Sequence, residues 1–202
     1  MQVLETTKAP PICFSSLARR YTLQEFWELP DPDDRSHYEL IGGQLFMVPS
    51  PDEPHGSIDA RLVKSLMRFI LANQIDGDVH HPRESIYRDD GTYLEPDMMY
   101  VSKKLKSEMG KKRSSADIVF EYVSRSNAVY DRTTKADTYL ALGVRELWLI
   151  DPFTETIEVR HAIDREAKPV WEGWRYSKGD TAGSQVLEGW GVSVDGLFEG
   201  LD

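Results

Sequence analysis

Two carboxylates stand where carboxylates are costly. Asp97 follows Pro96 and opens the run Met98-Met-Tyr-Val101, while Glu121 sits inside Ile118-Val-Phe-Glu-Tyr-Val123, a stretch apolar on both parities. A charged carboxylate in a covered strand has to be paired, hydrogen-bonded or bound to a metal. For one such residue, a salt bridge to a structural Arg or Lys is explanation enough. Two of them on successive strands bring another chemistry within reach. Neighbouring strands lie about 4.8 Å apart, close enough for two carboxylates to grip one hard cation, and a cation also relieves their mutual repulsion. Lys135 supplies a third element, in the helical stretch after the Glu121 strand, with Asp131 one turn earlier on the same face. One reading is an ordinary i, i+4 Asp–Lys pair worth a few tenths of a kcal/mol. The other is an ammonium beside a metal site, where it orients a water and stabilises charge on a phosphoryl oxygen.

Other candidates carry less. The chain contains no GxxxxGK[ST] phosphate loop, GxSxG elbow, HExxH pair or EF-hand loop. Gly189-Trp-Gly191 lacks the third glycine of a dinucleotide fingerprint. His80 and His81, adjacent on an expected strand, point to opposite faces and do not share a metal. The segment from Lys103 to Arg113 holds six basic residues and one acidic, a local charge of +5. It reads either as a solvated surface or as a patch that meets phosphates.

The elements that would position these residues follow from local rules. Thr22-Leu-Gln-Glu25 is a capping-box pattern that opens a short helix. Tyr38–Ile41 and Gln44–Val48 flank Gly42-Gly43, a dipeptide suited to a two-residue hairpin turn. A helix is expected over about 54–74, with Ile58, Leu62, Leu66, Phe69 and Ile70 on one stripe and Arg61, Lys64 and Arg68 outside it. Extended segments are expected near 78–87, 97–101, 117–123, 146–150, 156–160 and 170–176. Between the 117–123 and 146–150 segments lies a helical stretch of about 129–142 closed by Gly143, which predicts a crossover between parallel strands. The Gly/Trp-rich end, 186–202, reads as edge structure.

Composition bounds the function. With 202 residues the expectation is an N-terminal arm, 1–20, and a single domain over 21–202. The aromatic content excludes a disordered chain, and no apolar run reaches the roughly 18 residues of a membrane span. Residues 1–11 are no signal peptide, which points to the cytoplasm, and the lone Cys13 excludes an internal disulfide or multi-cysteine zinc site. The net charge of −10 argues against a protein that coats nucleic acid non-specifically.

An ordered series of blocks resembles a known family. Tyr38-Glu-Leu-Ile-Gly-Gly43, Pro49-Ser-Pro51 with His55, Glu95-Pro-Asp97, Phe120-Glu-Tyr-Val-Ser124, and Asp131…Lys135…Tyr139…Gly143-Val-Arg-Glu-Leu-Trp-Leu-Ile-Asp-Pro152 resemble the Uma2 family (DUF820), a branch of the PD-(D/E)XK superfamily. The resemblance covers roughly residues 21–199. It implies an α/β (α+β) restriction-endonuclease-like fold, a central mixed β-sheet flanked by helices. It also implies a DNA endonuclease with Mg²⁺ (or Mn²⁺ as a substitute) held by Asp97 and Glu121, with the main-chain carbonyl of Val123 as a third ligand. Lys135 would assist the attacking water and Glu39 would complete the acidic cluster, while His55 matches a family position without an assigned role. Val123 stands where the superfamily places its lysine, and Arg125 where the family commonly has proline. On this resemblance the partner is DNA, with 103–113 as a candidate contact, no membrane is involved, and fold-level analogy suggests a homodimer. Two alternatives share the fold: an inactive nuclease-fold interaction module, and a phosphoesterase acting on another substrate.

Overall fold

The computed structural model describes residues 19–34, 36–49, 54–82, 84–124 and 128–201. Most of the expected arm, together with Ser50, Pro51 and Arg125, lies outside the described residues.

The capping box forms as expected. Glu25 N–H donates to Thr22 Oγ1, and Thr22 N–H donates to the Glu25 carboxylate, at the start of α1 (Leu23–Trp27). The hairpin β1 (His37–Ile41) and β2 (Gln44–Val48) turns on Gly42 and Gly43 at φ +54° and +81°. Two successive positive φ values are what a two-residue hairpin turn requires. The long helix α2 (His55–Ala72) buries Ile58, Leu62, Leu66 and Ile70.

The expected strand at 78–87 is instead two strands in different sheets. β3 (Gly77–His80) pairs in the main sheet, and β4 (Ile86–Arg88) joins a second sheet with β5 (Thr92–Leu94), β1 and β2, in the order β2-β1-β5-β4. Pro82, which has no N–H for a ladder, falls in the break. His81 therefore lies beyond the strand rather than on its opposite face.

The six-stranded main sheet continues with β6 (Met98–Ser102), then α3 (Lys103–Met109) and β7 (Ile118–Tyr122). A short helix α4 (Ala128–Tyr130), a π-helical turn (Asp131–Lys135) and α5 (Ala136–Ala141) lead to β8 (Glu146–Asp151). The hairpin β9 (Thr156–Arg165) and β10 (Lys168–Tyr176) completes the order β10-β9-β8-β7-β6-β3. Only β7 and β8 run parallel, across the helical crossover; the other pairs are antiparallel, so the sheet is mixed.

Helices cover both faces. On one, Met98, Phe120 and Trp148 pack with α2; on the other, Met99, Val119 and Leu147 pack with Ala136 and Tyr139. The C-terminal segment corrects its expectation as edge structure. β11 (Thr181–Gly183), β12 (Gly191–Ser193) and α6 (Val194–Phe198) close over the α2 side. There Leu187, Trp190, Leu197 and Phe198 are buried in the core, with the Trp190 ring centroid 4.9 Å from that of Trp148. Its apolar residues fit no single period, because they belong to a turn, a short strand and a short helix in succession. Among the described residues no helix is long and apolar enough to cross a membrane.

Candidate active site

Four elements bring carboxylates to one place. Met98 pairs with Phe120 across the antiparallel β6–β7 ladder, and continuing that register by one residue sets Asp97 opposite Glu121. Both share parity with Met99 and Val119, so they belong to the face covered by α4 and α5. The Tyr122 N–H donates to Asp97 Oδ2 at 2.8 Å, which fixes the carboxylate at the mouth of the strand pair. Glu39 comes from β1 of the second sheet. Its Oε1 accepts the Glu95 N–H at 3.0 Å, and its Oε2 accepts the Tyr130 hydroxyl at 2.9 Å. Asp131 is buried at the start of the π-helical turn.

Lys135, at the end of that turn, sits among them. Its Nζ lies 3.0 Å from Glu39 Oε1, 2.9 Å from Glu121 Oε1 and 3.0 Å from Glu121 Oε2. The simple i, i+4 pairing of Lys135 with Asp131 does not form an ion pair; the lysine instead bridges two sheets. A π-turn widens the helix by one residue per hydrogen bond, and such turns recur at functional sites. Tyr139, one helical turn beyond Lys135, donates its hydroxyl to Glu121 Oε1. Tyr130 carries no signal in the sequence, and Tyr139 stands there only within the family block, without a role, although it lies four residues from Lys135 and hence on the same helix face.

The electrostatics are uneven. Burial pushes the Glu121 carboxyl well above its usual range; Lys135 opposes this, while Asp97, Glu39 and Asp131 add to it. Asp131 rises to about 7, again first through burial. Asp97 goes the other way. Burial works against its charged form, but the contact with His55, the charge of Lys135 and the Tyr122 N–H together hold it below the usual carboxylate range. Burial alone would lower Lys135, yet the surrounding carboxylates push it well above its ordinary value, so it is an ammonium. Asp97 is also the open member: its side chain is 24% exposed, against 4% for Glu121 and 0% for Glu39. The way in from solvent is therefore at Asp97.

His55, the first residue of α2, places Nε2 3.6 Å from Asp97 Oδ1 and packs edge-on against the Tyr122 ring. Tyr122 in turn donates to Asp59 Oδ1 at 3.0 Å, and His81 Nδ1 lies 3.9 Å from Asp59 Oδ2. Val123 follows β7, buried, with its N–H on the Ile150 carbonyl.

By donor chemistry the group suits a hard divalent cation. Its ligating atoms are oxygens, four carboxylates face one lysine, and an ammonium already serves as a stand-in cation between two of them. Among the described residues there is no ready cage of three acidic, histidine or cysteine ligands. That is compatible with Mg²⁺, which keeps several waters and takes only one or two carboxylates.

The 103–113 segment does not stand free as a phosphate patch. Lys103 pairs with Asp76, Lys106 with Asp78, Lys112 with Asp89 and Arg113 with Glu84, while Lys104 lies 4.0 Å from Glu108. Acids from β3 and the β4 region neutralise most of its charge.

A crystal structure from Anabaena variabilis ATCC 29413, described as "a putative nuclease belonging to DUF820", resembles this fold with a TM-score of 0.68. It is 21% identical and covers 88% of this chain and 97% of its own, a likeness that establishes the fold alone. No curated protein matches significantly. Residues 23–195 match the Uma2 family, described as "Putative restriction endonuclease". With its blocks in order along that whole span, the chain belongs to the Uma2 family.

Proposed function

We propose that the protein is a Mg²⁺-dependent endonuclease that hydrolyses DNA phosphodiester bonds. The observation that carries this reading is the convergence of Glu39, Asp97, Glu121 and Asp131 on Lys135, with Asp97 alone open to solvent among those carboxylates. Asp97 and Glu121 would hold the ion, with the Val123 main-chain carbonyl as a third ligand and Mn²⁺ as a substitute. When bound, the ion would lower the pKa of a water and offset charge on the scissile phosphate.

The chain's own residues divide the remaining work. Lys135, held protonated by its neighbours, presents a fixed positive charge to a phosphoryl oxygen. Glu39 holds Lys135 in place and Tyr139 holds Glu121. His55 and the Tyr122 N–H keep Asp97 ionised and aimed. Membership of a family described as an endonuclease supports the substrate class. On the same reading the protein works in the cytoplasm, and a homodimer would cut both strands.

The test is cleavage of plasmid, linear, single-stranded and branched DNA with and without Mg²⁺. Asp97→Ala and Glu121→Ala should each abolish it, and calorimetric titration should show weakened Mg²⁺ binding in both. Cleavage surviving both substitutions would remove the site.

A further inference from the structure

A second region shows the reverse charge pattern. Along the outer side of α2 runs a groove of about 500 Å³, lined by Arg61, Lys64, Arg68, Phe69 and the loop at Gly189-Trp190. Three cations and no acid line it, in a chain with 34 acidic side chains. Arg61 donates one N–H to the Leu197 carbonyl at 2.9 Å, which ties α6 to the groove floor. Lys64 and Arg68 are exposed, and none of the three cations forms an ion pair among the described residues. This contrasts with 103–113, where four cations meet acids from other segments. Ser65 accepts the Trp190 indole N–H at 3.2 Å, and Gly189, at φ +86°, lets the loop lie against Phe69, whose ring is half-buried at the edge.

We infer that this groove binds the sugar–phosphate backbone of DNA. Two observations select that occupant. Unpaired cations beside an aromatic ring are the chemistry that tracks a nucleic-acid strand. The cations recur at i, i+3 and i+7, one stripe of a helix, and at 1.5 Å per residue they span about 10 Å, roughly three nucleotides of one B-form strand. The stripe lies roughly half a helical turn round α2 from His55, the residue that meets Asp97, so the groove is a surface apart from the Asp97 site. The inference rests on the nuclease reading for its substrate, but its test does not depend on cleavage.

Binding is measured by fluorescence anisotropy with labelled duplex and single-stranded oligonucleotides in EDTA, across a range of salt. Lys64→Glu with Arg68→Glu, both at exposed positions, should weaken binding at least tenfold. It should also lower the slope of log affinity against log salt by about two, as expected for two lost phosphate contacts. The milder Lys64→Ala with Arg68→Ala should give the same direction at an unchanged melting temperature. Lys103→Glu with Lys106→Glu, in the neutralised segment, should bind within about twofold of wild type. Wild-type binding by both α2 variants overturns the inference, as does equal loss in the 103/106 control, or preference for poly-glutamate over DNA. Loss confined to the α2 variants supports it even if no metal elicits cleavage, in which case the nuclease reading fails alone.

Discussion

Glu121 and Glu146 lie on adjacent strands of one sheet, both buried, and their environments are opposite. Glu146 faces the α2 side with Trp148. It accepts the Trp148 indole N–H at 2.6 Å and the N–H groups of Gln185 and Val186 at 2.8 and 3.2 Å. His161 Nδ1 lies 3.2 Å away. Burial would raise its pKa, but hydrogen bonds from His161, Trp148, Ser184 and the Gln185 N–H outweigh it and hold Glu146 below the usual range. Glu121 has one lysine and one tyrosine for partners and three further carboxylates for neighbours, and its pKa rises. A buried acid is thus not in itself a sign of chemistry. Neutral donors around it make a structural anion that pins the C-terminal segment to the sheet; like charges around it leave a surplus that something else must balance.

The largest expected effect tests the Glu121 side. Glu121→Gln keeps the shape and removes the charge, and metal-dependent cleavage should fall about 10³-fold, near 4 kcal/mol of barrier. Thermal unfolding should scarcely change, because Lys135 retains Glu39. A large loss of stability with modest loss of cleavage would place Glu121 with the structural acids. Glu146→Ala should do the converse. It strands the Trp148 indole and two backbone N–H groups in the core, a cost of about 3 kcal/mol by denaturant unfolding. Cleavage by the fraction still folded should stay within a few-fold of wild type. If cleavage instead collapses in the folded protein, the division between the two glutamates is wrong.

What the sequence made legible follows the same line between local and distant partners. The capping box at Thr22, the Gly42-Gly43 turn, the α2 stripe and the doubly apolar β7 run are each set by neighbours in the chain, and each formed. The two-residue turn at Glu166-Ala167 was missed because both residues adopt positive φ without a glycine or asparagine to announce it. The charge balance of the +5 segment was not legible, because its ion-pair partners, Asp76, Asp78, Glu84 and Asp89, arrive from other segments. Asp97, Glu121, Lys135 and Glu39 were each legible as residue types in blocks, and the fold brings them together. That Lys135 would bridge Glu39 and Glu121, rather than pair with Asp131, depends on two sheets meeting and on a π-turn that no period reveals. The role of Glu146 was not legible, since two of its donors, the Gln185 and Val186 N–H groups, lie 39 and 40 residues ahead in the chain.

The smallest expected effect separates the two acidic environments by pH. Burial raises the folded pKa of Asp131 from the ordinary carboxylate range to about 7. A raised carboxyl favours the fold while protonated, so its contribution is full below the unfolded pKa and drains away as pH rises through the window from about 4 to 7. Glu146, with a depressed pKa, contributes above its unfolded value and loses that contribution only on acidification. In metal-free buffer the wild-type protein should therefore lose about 1 kcal/mol between pH 6 and pH 8 that Asp131→Asn does not lose. Both proteins should weaken alike below pH 4, where Glu146 and Asp97 take up protons. Denaturant melts of the two proteins across that range measure the difference. Parallel curves from pH 6 to 8 would mean that Asp131 is already balanced by the charges around it. The carboxylate surplus around Lys135 would then be smaller by one, and the need for a bound cation correspondingly weaker.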